Sequence, residues 1–84
     1  MLVDPEFRYY GTCKWFNKSK GYGMLVTEEI ANDASETEVF VHHSSIISPW
    51  DYKALVPGEN VYFNVVLVEA GLEAKQVSKT EVLT

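Results

Sequence analysis

Cysteine is almost missing from this chain. Cys13 is the single one, so no intramolecular disulfide can form, and a reducing intracellular home is expected. The cytoplasm is the expected location, with nucleus and organelles left open. Apolar runs of signal-peptide or membrane-span type are missing too, so no membrane partner is expected. Cationic side chains are few: seven Lys and Arg stand against twelve Asp and Glu, a formal charge of −5. That balance opposes non-specific attraction to polyanions. Strong helix signals are scarce throughout. The chain of 84 residues allows one small domain with a modest core, and a stability margin of about a few kcal/mol.

Rings and β-branched residues are what the chain has. Aromatics make up 13% of it within an ordinary hydrophobic fraction of 46%, which argues against disorder. Tyr9–Asn17 reads as a first strand, Lys18–Gly21 as a tight turn and Tyr22–Thr27 as a second strand. The acidic run Glu28–Glu38 reads as an exposed loop. Val39–His43 reads as a third strand, followed by an irregular connection over Ser44–Pro57 with a helical turn near Ser44–Ile47. Pro57-Gly58 turns into a fourth strand, Asn60–Val68, and Ala70-Gly71 into a fifth, Leu72–Val82. Five strands without a real helix predict a closed antiparallel barrel of all-β class, since closure removes exposed edges. Residues 1–8 read as a flexible tail or a vector-derived extension without function, and 9–84 as the domain.

Alternation then sorts the faces. Val39 and Val41 oppose Phe40 and His42; Tyr22 and Met24 oppose Gly23 and Leu25; Val61, Phe63 and Val65 oppose Tyr62 and Asn64. Cys13 and Trp15 oppose Lys14 and Phe16 unless twist or a bulge intervenes. A narrow barrel buries one face per strand, and aliphatics claim it, so rings are left outside. Single-stranded nucleic acid suits such a row because every base can stack on a ring. Gly21 and Gly23 are read as letting a backbone come close.

The runs "GTCKWFNKSKGYGML", "EVFVHHSSI" and "YKALVPGENVYFNV" resemble the cold-shock domain family, from about Gly11 to Val77. "KGYGML" also fits an RRM, but there the other aromatic strand lies upstream with helices between; here "VFVHH" lies downstream. The resemblance implies a five-stranded OB-type barrel that binds single-stranded RNA and DNA. It implies stacking roles for Trp15, Tyr22, Phe40 and His42, polar or phosphate contacts for Lys14 and Lys20, and further contacts for His43 and Tyr52. Phe16 is placed at the patch edge, and Glu38 as an acceptor from a base. Met24 departs from the phenylalanine of most relatives, a weaker but still polarizable subsite. The long acidic loop and His43 make the chain closer to eukaryotic, Y-box-like members than to compact bacterial ones.

Stacking at about 1–3 kcal/mol per base gives four platforms about 4–12 kcal/mol gross, whereas about three lysines on phosphates give a salt slope of only about −2. The lysines guide the strand and the rings hold it. The expected activity is that of an RNA chaperone or an mRNA or translation regulator, with no cofactor and no small-molecule substrate, in a monomer. Catalysis is not expected. His42 and His43 are read as pointing to opposite faces, which disfavours a shared metal, and no nucleophile elbow is present. The rival reading is a protein-interaction module using Trp50, Tyr52 and the exposed strip.

Overall fold

The computed structural model describes residues 3–47 and 54–79. Five strands follow in order: β1 (Tyr9–Asn17), β2 (Tyr22–Thr27), β3 (Thr37–His42), β4 (Asn60–Val68) and β5 (Gly71–Lys79), with a short 3-10 turn, His43–Ser45, after β3. They close into a barrel in the order β1-β2-β3-β5-β4. Four seams are antiparallel, whereas β3 and β5 run parallel. An all-antiparallel barrel is therefore corrected at this one seam. Parallel pairing needs a long connection, and here everything between β3 and β5, β4 included, supplies it.

Strand ends follow local chemistry closely for β1, β2 and β4. β3 begins at Thr37 rather than Val39, because Thr37 and Glu38 continue the ladder opposite Thr27 and Val26. The helical turn begins at His43, earlier than expected. Part of the fifth strand expected after Lys79 lies outside the described residues.

The core is mainly aliphatic, with the rings of Phe63 and Tyr9 among the aliphatics. Leu25, Val39, Val41, Val61, Phe63, Val65, Ala74 and Val77 are fully buried; β3 and β4 keep the period of two, whereas Ala74 and Val77 on β5 lie three apart across an irregularity opposite Tyr62–Asn64. Tyr9, Ile46 and Leu55 complete it, and Ile30 folds in from the acidic loop. Ahead of β1, Arg8 donates to Asn64 Oδ1 at 2.8 Å, to Ser78 Oγ at 2.6 Å and to the Gln76 carbonyl at 2.5 Å. Asn64 in turn donates to the Pro5 carbonyl at 3.0 Å. The segment before β1 is thereby tied to β4 and β5.

Cys13 is sealed in this core at 2% exposure. Its backbone N–H donates to the Glu59 carbonyl and its carbonyl accepts from Gly58 N–H, which lays the Pro57-Gly58 turn across it. Burial, with the Glu59 carboxylate adding to it, pushes the thiol up to about 11. The thiolate is the reactive form, so an alkylating reagent at pH 8 should leave Cys13 unmodified in the folded protein and label it fully in denaturant. Mass spectrometry reads both states; rapid labelling without denaturant would mean that this turn opens readily.

Candidate nucleic-acid interface

The outer face of β1, β2 and β3 collects most of the residues singled out by sequence. Pairing sets Trp15 opposite Met24 and Met24 opposite Phe40, one row across three strands. The next row sets Asn17 opposite Tyr22 and Tyr22 opposite His42. The Trp15 and Tyr22 ring centroids lie 6.0 Å apart in an edge-on arrangement, and those of Tyr22 and Phe40 lie 5.8 Å apart, tilted by 34°. Trp15 is the most open of these rings, at 40% exposure.

One extra residue makes this possible. The β1–β2 register shifts between Cys13 and Trp15, leaving Lys14 as the unpaired residue of a bulge. The expectation that Cys13 and Trp15 share a face is therefore corrected: Cys13 is buried and Trp15 faces out. The same shift turns Phe16 inward. It stands opposite buried Gly23 and packs half-buried against the core, so it does not join the rings.

The glycines also have a different use from the one expected. A Cβ on Gly23 would overlap the Trp15 carbonyl oxygen and approach the Phe16 Cα to 2.8 Å. Gly23 thus admits the bulged β1 and the Phe16 ring from inside the barrel, not a ligand from outside. Gly21, in the left-handed region at φ +78°, lies under the His43 ring, whose Cδ2 would be 2.5 Å from a Cβ there.

At the edge of the strip, the His42 and His43 rings lie 4.4 Å apart. They share one side because β3 ends at His42 and the chain turns there, so the reading of opposite faces is corrected. Among the described residues no group of three or more His, Cys, Asp or Glu is placed to hold a metal ion. Ser44 N–H donates to His42 Nδ1 at 3.2 Å. The same Nδ1 lies 2.8 Å from Ser44 Oγ, so Ser44 holds the orientation of the His42 ring.

Lys14 and Glu38, both predicted as contacts, meet each other: Nζ donates to Oε2 at 2.5 Å, with both side chains 52% exposed. The Glu38 hydrogen bond, and then its charge, hold the ammonium above the ordinary lysine range, so Lys14 stays charged. A phosphate reaching Lys14 must compete with that carboxylate. Lys20 lies exposed in the turn before Tyr22. Tyr52 and Trp50 lie outside the described residues.

One neighbour was not anticipated. β5 brings Glu73 into register with Phe40, and a hollow of about 180 Å³ opens there between Phe40, Val68, Leu72 and Glu73. Glu73 accepts from Lys75 at 3.0 Å. Alternation with buried Ala74 could have turned Glu73 outward, but nothing local says that β5 lies beside β3. At the far end of the sheet, a second hollow of about 370 Å³ is lined by Tyr10, Thr12, Glu28, Glu29, Glu36 and Asn60. Its carboxylates disfavour a polyanion and bound the strip on that side.

The ring spacing limits what can bind. A stacked strand advances about 3.4 Å per nucleotide, less than the 5.8 and 6.0 Å between these centroids. Bases resting one per ring must therefore be splayed apart, as an unpaired strand allows.

A family model described as the 'Cold-shock' DNA-binding domain matches residues 9–80. The cold shock protein CspA of Staphylococcus saprophyticus is 42% identical over 69 residues, which cover 82% of this chain and 94% of that protein. Protein lin-28 of Caenorhabditis remanei is 39% identical over 64 residues, 76% of this chain. The chain spans about a quarter of the length of the lin-28 proteins it matches. The solved structure of Drosophila Unr CSD456 superposes with a TM-score of 0.69 at 21% identity, covering 90% of this chain and 28% of that one, and shares the fold. With the match over residues 9–80 and near-complete coverage of CspA, the chain belongs to the cold-shock domain family of nucleic-acid-binding proteins.

Proposed function

We propose that the outer face of β1–β3 holds single-stranded RNA or DNA by stacking bases on Trp15, Tyr22, Phe40 and His42, with Met24 as an apolar floor between them. The observation that carries this is the row of rings facing solvent while aliphatics fill the interior. Lys14 and Lys20 guide the backbone; Glu38, His43 and Glu73 offer polar edges to bases, and Tyr52 supplies a further contact, as the family resemblance implies. Phe16 acts indirectly, by supporting the bulge that presents Trp15. The unit is residues 9–84, working as a monomer without cofactor or catalysis, in the cytoplasm. By keeping bases occupied it disfavours refolding of the strand, the action of an RNA chaperone or an mRNA regulator.

Stacking dominates this mode of binding. Four platforms supply about 4–12 kcal/mol gross, reduced by ordering and association costs to an affinity between micromolar and nanomolar. With Lys14 already engaged by Glu38, the slope of log K against log salt should be no steeper than about −2. Titrating tryptophan fluorescence with a short oligopyrimidine at several salt concentrations tests both parts. Quenching at micromolar protein that Trp15→Phe removes is the expected result. No quenching at low salt would favour a protein partner, and a much steeper slope would make charge the main force.

A further inference from the structure

We infer that the Met24 thioether is a site of reversible sulfoxidation that controls nucleic-acid binding, an inference that rests on the interface proposed above. Met24 stands on β2 directly between Trp15 and Phe40. It is half-buried, while Gly23 and Leu25 on either side of it are buried. Any base spanning these two rings must cover it. The outer face that admits a base also admits a small oxidant such as hydrogen peroxide.

The chemistry is an oxygen transfer. The Met24 sulfur attacks one peroxide oxygen; an S–O bond forms, the O–O bond breaks, and a proton moves to the departing oxygen, which leaves as water. Sulfur is oxidised by two electrons and the peroxide is reduced. A thiol-dependent sulfoxide reductase reverses the step, two thiols becoming a disulfide as the oxygen leaves as water. The apolar contact thereby becomes a strong acceptor. The face of a base has no donor to satisfy it, so covering the sulfoxide leaves a buried acceptor unpaired. Cys13 does not compete for the oxidant, being 2% exposed and held as the thiol.

The test treats the whole chain with hydrogen peroxide, locates added oxygen by peptide mass mapping, and titrates treated and untreated protein with an oligopyrimidine. One oxygen at Met24, a Kd raised about tenfold, and recovery after sulfoxide reductase are expected. Bound oligonucleotide should also slow the oxidation. Met24→Phe should bind more tightly before treatment and keep that affinity after it. Complete oxidation at Met24 with unchanged Kd would overturn the inference, as would an equal loss in Met24→Phe. Failure of untreated protein to bind would instead bring down the interface itself, and the untreated titration shows which has failed.

Discussion

Phe40→Ala should weaken oligopyrimidine binding by about 1–3 kcal/mol, or about five- to 150-fold, while barely changing stability. Phe40 faces outward between buried Val39 and Val41, and its ring meets Tyr22 on the outer surface. Removing it would delete a proposed base platform and leave the interior closed. The contrasting variant is Leu25→Ala, next to Met24 on β2 but fully buried. It should cost about 2–5 kcal/mol of folding free energy and leave the rings in place in whatever fraction remains folded. Lys18→Ala, a change of charge near the strip, should reduce affinity far less than Phe40→Ala. Fluorescence titration and urea unfolding measure the two quantities. Equal losses of binding in Phe40→Ala and Lys18→Ala would contradict the division of labour between rings and cations.

Gly23→Ala should be among the most damaging single-methyl additions in the barrel. Its Cβ would overlap the Trp15 carbonyl and crowd the Phe16 Cα, and backbone atoms cannot step aside as a flexible side chain does. Overpacking of this kind costs about 3 kcal/mol or more, a fall in Tm of about 10–20 °C for a domain of this size. Binding should fall as well, since β1 can relieve the overlap only by moving the bulge that presents Trp15. Thermal unfolding followed by circular dichroism, with titration below the transition, checks both. A variant of wild-type Tm would show that β1 does not press on β2 there.

The contrast between these positions shows how far the chain could be read unaided. Strand bounds were legible where β-branched and aromatic runs end in Gly, Pro or polar turns, as for Tyr22–Thr27 and Asn60–Val68. The faces of β2, β3 and β4 followed from aliphatic alternation. What escaped depends on partners distant in sequence. A bulge adds one residue to a strand because of how two strands coil around each other, so pattern alone could not place Lys14 in it or turn Phe16 inward. The purpose of Gly23 depends on the same bulge. Glu73 stayed hidden because its neighbour Phe40 lies across a seam between strands far apart in the chain. The two histidines were misjudged because a strand period was carried one residue past the strand's end.

That seam is also where the wall is thinnest. β3 and β5 share the pairing at Phe40 and Glu73, and beyond the strand's end the contact continues through Ile46 with Val77 and a 2.7 Å bond from Ile47 N–H to the Val77 carbonyl. A nucleotide laid over Phe40 and against Glu73 would bridge the join like a splint. Occupancy would then slow amide exchange along β3 and β5 more than along the long β4–β5 hairpin, so that the cargo braces its own carrier.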